Sequence, residues 1–516
     1  MNMKLIIIFS SVLLLISELA TASAFVDPRL QNFVRQSGVK KARVIALMRN
    51  DTAGFAAPQR YNFRSVHQFL TARTRVSWEQ VKAAVARAPA ADISILNAFW
   101  INNSIVADVS PQGLRILAQV PNIEKIYLNG EIQYVRPVTA GRPFRAQRGD
   151  PTQYPYDLID IGIDKLMEKR PDLLGQGVRV GLIDTGVDGK HPALAGKIAL
   201  FYDAASNQIK EPYDADAHGT HTAGTIAGGD RQGINIGVAP KAHLVASAAL
   251  SGYSHMLRAM EFMLDPDKNP NTNDQPRLIS NSWNSGGAPD QELFYRAISA
   301  WEAAGILPVF SAGNAGPSPK TITRPHEHPG VIAVAATGKD GKVANFSSRG
   351  PAEFQGKVVQ KPDLSAPGVD IISSVPGGTL QSMSGTSMAC PHAAGVVALM
   401  LQANPNLNPA QIREILTKTL ILVNENGSPS PTQVWNASYG MGRLNALAAI
   451  QVVTGLRTMN RDLVMAQFQP TSAFRNIVSA FDTLVSRVSR LNTVDTSDLT
   501  GQFRTNPSQW MDGSRL

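Results

Sequence analysis

The sequence predicts a doubly wound, mostly parallel α/β sheet domain that is preceded by a small ferredoxin-like α+β domain. Over most of the chain, apolar strands alternate with helical segments, and such alternation favours a parallel sheet with helices on both faces. These strands are predicted at 178–183, 244–248, 278–282, 306–310 and 331–335. Nearer the N-terminus, strands and helices are predicted in the order βαββαβ, which fits the ferredoxin-like topology. A chain of 516 residues, 43% of them hydrophobic, is long enough for two or three such units.

The first 24 residues have the pattern of an export signal. Lys4 is followed by an apolar stretch at 5–16 and by small residues at 22–24, an arrangement typical of a cleaved secretory signal peptide. The apolar stretch is shorter than the roughly 20 residues of a spanning helix, which disfavours a membrane anchor. We therefore expect a secreted protein, extracellular or periplasmic, whose chain starts near Phe25 after cleavage.

The small domain is predicted to span 25–134. Its strands are expected at 43–48, 93–100, 104–109 and 123–128, and its helices at 76–88 and 111–120. Ser110 and Pro111 mark the start of the second helix, because serine caps free amides and proline fits a first turn that lacks amide bonds.

Residues 135–155 form a predicted linker between the two domains. They are rich in Pro, Gly and Arg and have little apolar periodicity, which is typical of an exposed segment that a protease can cut. The sheet domain is then predicted to span 156–455.

A C-terminal extension is predicted at 456–516. Within it, Phe474, Phe481 and Val488 repeat every seven residues beside a second apolar row, which predicts an amphipathic helix. Such a helix could dock on the sheet domain, on a partner or on a second copy of the chain, and docking on its own domain is favoured because three heptads make a marginal free coiled coil.

Charge and cysteine usage exclude some classes of protein. The formal net charge is +9, but the basic residues are scattered and form no long run beside stacking aromatics, which disfavours nucleic-acid binding. Cys390 is the only cysteine, so an internal disulfide is excluded, and we expect this thiol to be a buried small residue.

Two polar segments stand out, one of them at the end of a predicted strand, where functional groups gather in parallel sheets. Asp184-Thr185-Gly186 ends a buried strand, and this aspartate alone could equally be a helix cap or a metal ligand. His218-Gly219-Thr220-His221 begins a helix rich in small residues. Its two histidines could bind zinc, although no HExxH-like glutamate and no nearby cysteine support that.

A third segment places a serine near the start of a helix. Ser387, in Gly385-Thr386-Ser387-Met388-Ala389, precedes the apolar helical run 393–401. The positive end of that helix favours the oxyanion that forms when a hydroxyl attacks a carbonyl. A simple capping serine is the alternative.

The three segments occur in the order Asp, His, Ser, and together they resemble the active-site blocks of the subtilisin family of serine proteases. Ser365-Ala366-Pro367-Gly368 matches a further block of that family, and the resemblance covers roughly 159–455. It implies a secreted serine endopeptidase with a subtilisin-like fold. It also implies that the domain at 25–134 is an inhibitory propeptide, which acts as an intramolecular chaperone and is removed by self-processing in the linker.

The resemblance further implies acyl transfer through a catalytic triad. In this prediction His221 is the general base for the nucleophile Ser387, and Asp184 orients the imidazole. Asn314 matches the family's oxyanion asparagine, and losing that donor costs about 10²–10³ in turnover in subtilisin itself. His392, on the predicted helix of Ser387, is expected to have a packing role.

The substrate-binding strand is predicted at Ser282, Trp283 and Asn284. Asn284 stands where the family usually has a glycine, so its side chain is expected to narrow the pocket for the residue before the cleaved bond. Trp283 is expected either to bound a pocket further upstream or to be a plain buried aromatic.

No cofactor is expected to be required for the chemistry, but structural calcium is a hypothesis. Asp265, Asp267 and Asn269 begin a loop of alternating oxygen-bearing side chains of the kind that Ca²⁺ prefers, and a polar turn is the alternative. His326 and His328 could bind zinc, but a solvated loop is the favoured interpretation.

Two functions therefore remain open at this stage. The favoured one is an active endopeptidase whose partners are protein or peptide substrates and its own propeptide, with no nucleic acid and no membrane anchor. The alternative is a catalytically silent secreted binding protein that retains the fold.

Overall fold

The computed structural model describes residues 24–36, 40–50, 58–134, 137–144, 154–231, 234–285, 292–432 and 434–455. The predicted export signal, apart from its last residue, and the predicted C-terminal helix lie outside these residues.

The N-terminal unit, residues 24–134, contains the predicted βαββαβ succession. Its elements are β1 (Phe25–Val26), α1 (Pro28–Gln36), β2 (Ala42–Met48), α2 (Phe63–Val85), β3 (Ile93–Phe99), β4 (Ser104–Val109), α3 (Pro111–Ala118) and β5 (Ile123–Leu128). The sheet order is β1-β5-β2-β4-β3, and all neighbours are antiparallel except the edge pair β1–β5.

The helices of this unit begin where capping side chains allow. Ser110 accepts a hydrogen bond from the Gly113 amide at 3.0 Å, as predicted for the start of α3. Helix α2 begins well before the predicted residue 76, because Asn62 caps it by accepting the Ser65 amide at 2.9 Å. Its first turns bury Phe63, Val66 and Leu70 at helical spacing, a signal that the prediction did not use.

The larger unit is built on an eight-stranded sheet with the order β10-β9-β13-β8-β14-β16-β17-β20. These strands are β8 (Arg179–Asp184), β9 (Ile198–Asp203), β10 (Gln208–Ile209), β13 (His243–Ala248), β14 (Leu278–Asn281), β16 (Leu307–Ser311), β17 (Ile332–Thr337) and β20 (Leu364–Pro367). All neighbours are parallel except the edge pair β10–β9, so the predicted mostly parallel sheet is confirmed.

Helices cover both faces of this sheet. They are α4 (Tyr156–Asp160), α5 (Ile163–Lys169), α6 (His218–Ala227), α7 (Tyr253–Leu264), α8 (Glu292–Ala303), α9 (Thr386–Ala403), α10 (Pro409–Lys418) and α11 (Ala446–Val453). Side chains of β8 alternate between the two faces: Val180 and Leu182 join the core beneath α6 and α9, whereas Ile183 joins the core beneath α7 and α8. The second core also contains residues of the N-terminal unit, such as Phe99 and Ile132, so the two units share buried apolar surface.

Short strands complete the structure. They are β6 (Gln133–Tyr134), β7 (Thr139–Phe144), β11 (Asp230–Arg231), β12 (Ile234–Asn235), β15 (Trp283–Asn284), β18 (Ala352–Phe354), β19 (Lys357–Val359), β21 (Ile371–Val375) and β22 (Thr379–Ser384). The segment that leaves the N-terminal unit pairs twice with the larger unit, because β6 lies antiparallel to β15 and β7 lies antiparallel to β22.

Candidate active site

The carboxyl edge of the large sheet gathers the predicted polar residues. Asp184 is the last residue of β8, Ser282 follows β14, and Asn314 lies three residues beyond β16. Because β8, β14 and β16 are parallel neighbours, their carboxyl ends meet at one edge. Chain connectivity and sheet order therefore bring together residues that are up to 130 positions apart.

Asp184 is buried and held by several donors. Its Oδ1 accepts the Nδ1–H of His218 at 2.7 Å and the Thr185 amide at 2.7 Å, and its Oδ2 accepts the Thr222 hydroxyl at 3.1 Å. Asp184 is 1% exposed and His218 fully buried. A buried carboxylate needs such partners, because an unpaired charge in the interior is costly. The carboxylate thus fixes the tautomer and the orientation of the His218 ring.

The histidine bound to Asp184 is His218, so the prediction that Asp184 orients His221 is wrong. His221 lies one turn further along α6, where its Nε2–H points at the backbone carbonyls of Ile371 and Gln381, both at 3.0 Å. Helices that follow strands of a parallel sheet run away from its carboxyl edge. The first residue of α6, His218, is therefore nearer Asp184.

The two histidines differ in their electrostatic environment. Burial disfavours the charged form of His218, but the adjacent Asp184 carboxylate outweighs burial and raises the pKa of His218, with smaller contributions from Asp216 and Asp214. For His221, burial lowers the pKa to about 3, so this ring is neutral at physiological pH. The surroundings therefore favour a charged imidazole at His218 and a neutral one at His221.

Ser387 is the second residue of α9, two positions after Gly385, which precedes this helix. Helices α9 and α6 pack against each other, and each holds a site residue in its first turn, Ser387 in α9 and His218 in α6. The Ser387 carbonyl accepts the Ser282 hydroxyl at 3.1 Å, which ties the start of α9 to the chain after β14. Ser387 itself is fully buried.

Asn314 is fixed beside the start of α9. Its Oδ1 accepts both the Thr386 amide at 2.9 Å and the Thr386 hydroxyl at 2.8 Å. Its Nδ2 lies 3.2 Å from the point where a Cβ on Gly385 would stand, so the amide nitrogen faces the turn that carries Ser387. Sequence analysis did not single out Thr386, whose two donors determine which way this amide points.

The predicted substrate-binding strand is paired with the chain's own N-terminal segment. Trp283 and Asn284 lie opposite Tyr134 and Gln133 in the β15–β6 pair. The Trp283 side chain is fully buried, donates its Nε1–H to Asn281 at 3.0 Å and belongs to the same apolar core as Ile132. Trp283 is thus a buried aromatic, and it shares its core with Ile132, the residue that precedes β6.

Two other predicted residues have structural roles. Cys390 is buried, and burial raises the pKa of its thiol to about 11, which confirms that it is a buried small residue. The Nδ1–H of His392 donates to the Met388 carbonyl at 2.8 Å, and its Nε2 lies 2.9 Å from the Asp157 carboxylate. Both ring nitrogens of His392 thus have partners other than Asp184, and the residue has the expected packing role.

The interpretation of His326 and His328 as a solvated loop is wrong. His326 is fully buried and donates its Nε2–H to the Trp283 carbonyl at 2.6 Å, while His328 is largely buried beside Ser299. Burial lowers the pKa of both imidazoles to about 4. Within the described part of the chain, neither histidine belongs to a cluster of metal-ligating side chains.

The loop predicted to hold calcium does bring carboxylates together. One oxygen each from Asp265, Asp267 and Asp274 lies within 4.8 Å of the others. The Oδ1 of Asn269 instead accepts the Asn271 amide at 3.1 Å. Asp274 was missed because it lies at the far end of the loop and is brought back only by the turn.

The family follows from comparison with known proteins. The profile of the subtilase family matches residues 175–442, more than half of the chain. The chain therefore belongs to the subtilase family, a class of serine endopeptidases. The match contains Asp184, His218, Asn314 and Ser387.

Individual relatives support this assignment. Bacillopeptidase F of Bacillus subtilis is 34% identical over 389 residues, which are 70% of this chain but only 26% of that protein. Serine protease AprX of Bacillus subtilis is 33% identical over 378 residues, which are 67% of this chain and 78% of AprX. The chain thus spans about a quarter of the first relative and most of the second.

A solved structure shows the same fold. Fervidolysin from Fervidobacterium pennivorans, a keratinolytic enzyme related to subtilisin, matches with a TM-score of 0.59 at 23% identity, over 83% of this chain and 63% of that one. None of the helices described for this chain is long and apolar enough to cross a membrane.

The contacts of His221 predict a structural role that can be measured. We expect His221→Ala, in a Ser387→Ala background that prevents proteolysis, to lower the free energy of unfolding by about 1–3 kcal/mol, because the buried carbonyls of Ile371 and Gln381 lose their donor. His221→Gln, which retains an N–H donor, should cost less. Urea unfolding of the three proteins measures both, and equal losses for Ala and Gln would contradict this role.

Proposed function

We propose that the protein is a secreted serine endopeptidase with the triad Asp184, His218 and Ser387. The observation that carries the proposal is the 2.7 Å hydrogen bond between Asp184 and His218, at the sheet edge where α6 and α9 begin together. In the mechanism, His218 accepts the Ser387 proton as Oγ attacks the peptide carbonyl, and His218 then protonates the leaving amine. Water hydrolyses the acyl-enzyme by the same route. Asp184 holds the imidazole in the required tautomer and stabilises its charged form.

The oxyanion is stabilised by two donors. The Ser387 backbone N–H lies in the first turn of α9, where helix amides have no intrahelical acceptor. The Asn314 amide is oriented by Thr386 towards the same turn. Donors fixed before the reaction stabilise developing charge without reorganisation, and this supports the proposed role of Asn314. No metal or organic cofactor takes part in these steps.

The N-terminal unit is proposed to be the inhibitory propeptide with a ferredoxin-like fold. Apart from β1, its strand order β5-β2-β4-β3 is fully antiparallel, with two crossover helices. It contacts α7 and α8 through buried polar groups: Glu261 accepts the amides of Trp100 and Ile101 at 2.8 and 3.3 Å, and Arg296 donates to the Met48 carbonyl at 2.7 Å. An inhibitor held in this way covers the substrate strand until it is removed.

The paired segments narrow the position of the processing site. Tyr134 lies opposite Trp283 on the substrate strand, and the Val138 amide donates to the Ser384 carbonyl at 2.8 Å. Ser384 is three residues before Ser387. Tyr134 and Val138 thus pair with two segments next to the nucleophile, and we propose that the first bond cleaved lies between these two residues, at the start of the predicted linker 135–155.

The substrates are proposed to be proteins or peptides bound in extended form, as β6 is. Asn284 is proposed to narrow the pocket before the cleaved bond. Export is proposed from the sequence pattern of the first 24 residues. The rival, a silent binding protein, would retain the fold without the chemistry, and the first experiment below separates the two.

The base assignment predicts which histidine is needed for self-processing. We expect Ser387→Ala and His218→Ala to accumulate as unprocessed precursors without peptidase activity, because loss of nucleophile or base in a subtilisin costs about 10⁶ in turnover. His221→Gln should be processed and active. SDS gel electrophoresis and fluorophosphonate labelling measure this. An active His218→Ala protein would refute the assignment, and a wild-type protein that takes no label would favour the binding protein.

The raised pKa of His218 predicts the acid limb of the activity profile. The base must be neutral to accept a proton, so kcat/KM should fall as the pH falls through a pKa above the ordinary histidine value of about 6.5. Asp216→Asn removes a charge that raises this pKa, so the limb should move to lower pH. The shift should be small and salt-sensitive because Asp216 is exposed. Asp340→Asn, on a distant turn, is the matched control, and an unmoved limb in Asp216→Asn would count against the assignment.

The paired strands predict the new N-terminus of the processed protein. N-terminal sequencing and intact mass of the wild-type protein should place the first cut between Tyr134 and Val138, because both residues pair with segments next to Ser387. Secondary trimming within the rest of the linker is separated by following the time course. A first cut after Val138, or correct cleavage of Ser387→Ala in a protease-deficient host, would contradict self-processing at this position.

A further inference from the structure

We propose that the loop between α7 and β14 is a Ca²⁺ site formed by Asp265, Asp267 and Asp274. The site lies at the C-terminal end of α7 and takes no part in the proposed chemistry. The class of ligand is a hard divalent cation, and its role is to fix the loop that joins α7 to the strand leading to Ser282.

The spacing of the carboxylates suits one shared ion. An oxygen from each of the three residues lies within 4.8 Å of the other two. Two oxygens that bind the same Ca²⁺ at 2.3–2.6 Å can lie up to about 5 Å apart, whereas two that bind Mg²⁺ can lie only about 4.2 Å apart. The loop therefore accommodates Ca²⁺ with little movement, and Mg²⁺, which demands near-ideal octahedral geometry and dehydrates reluctantly, suits it less well.

Asp265 supplies an observation that is independent of the clustering. Its side chain is only 7% exposed, and its Oδ1 is shielded from solvent yet makes no hydrogen bond. A buried carboxylate oxygen without a partner costs free energy comparable to a lost charged hydrogen bond. A cation bound at this oxygen removes that cost, whereas a polar turn leaves it in place.

The charges of the cluster are poorly compensated by protein groups. Among the described residues, the ion pair recorded for these three carboxylates is that of Asp265 Oδ2 with His67 Nε2 at 3.1 Å. The other contacts are neutral donors: the Asp267 amide to Asp274 Oδ2 at 2.9 Å, the Asn269 amide to Asp267 Oδ1 at 2.8 Å, and the Thr272 hydroxyl to Asp267. Three like charges at this separation repel one another, and a divalent ion reverses the sign of that interaction.

The His67 contact also links this site to the N-terminal unit. His67 lies on α2, and its ring meets Trp100 edge-on with centroids 4.7 Å apart. An indole therefore lies two contacts from the carboxylate cluster. Because indole sensitises the luminescence of bound Tb³⁺, a hard cation that substitutes for Ca²⁺, Trp100 provides a reporter specific to this site.

The first experiment uses that reporter in the full-length Ser387→Ala precursor. On excitation of tryptophan, we expect Tb³⁺ luminescence that is larger in this protein than in the same protein with Trp100→Phe. Millimolar Ca²⁺ should displace Tb³⁺ and so abolish this difference in luminescence, whereas the same concentration of Mg²⁺ should not. The signal should be lost in Asp267→Asn/Asp274→Asn and retained in the control Asp340→Asn. A difference signal that is absent, or that survives the double substitution, overturns the proposal.

The second experiment measures stability and guards against misfolding of the variant. In the Ser387→Ala precursor, Ca²⁺ at a saturating level should raise the Tm by about 3–6 °C over EDTA, the size expected for ligand linkage in a domain of this length. In EDTA the double variant should melt at or above the parent temperature, because it has lost repulsion. Adding Ca²⁺ should raise the Tm of the double variant by only a small part of the rise expected for the parent protein. An equal rise in both proteins overturns the proposal.

Discussion

The structure of this subtilase depends on one buried carboxylate. Asp184 ends the central strand β8 and is almost fully removed from water. Its charge is tolerated because His218, the Thr185 amide and the Thr222 hydroxyl all donate to it. Removing one partner of such a buried group leaves an uncompensated charge, which is more costly than the pair is stabilising. The same contacts that make the carboxylate tolerable also orient the imidazole that the proposed chemistry uses.

The parallel sheet explains why so few contacts suffice to assemble the site. Strands β8, β14 and β16 are in register, so their carboxyl ends are fixed by backbone hydrogen bonds before any side chain is considered. Helix α9 then packs across the sheet and is joined to it through Ser282 and Thr386. Rigid elements thus determine the position of Ser387, and short polar contacts determine only its final orientation.

The interface with the N-terminal unit combines a shared apolar core with buried ionisable groups. Burial raises the pKa of Glu261 to about 8, although the amides of Trp100 and Ile101 act in the opposite direction. Arg73 is buried nearby without a hydrogen bond from its Nε, and burial together with the charge of Arg296 lowers its pKa to about 10. Burying such groups costs free energy, so they offset part of the stabilisation that the shared apolar core provides.

The sequence by itself determined the fold class, the βαββαβ unit and the segments that hold Asp184, Asn314 and Ser387, because apolar periodicity and strand-end chemistry are local properties of the chain. Tertiary structure alone decided how those segments face one another. It placed His218 rather than His221 on Asp184, since residues one helical turn apart lie at different depths below the sheet edge. It buried His326 and His328 in a region that looks like a polar loop, and it returned Asp274 to Asp265 across a turn. These outcomes depend on which surfaces meet, and a linear pattern of residues does not contain that information.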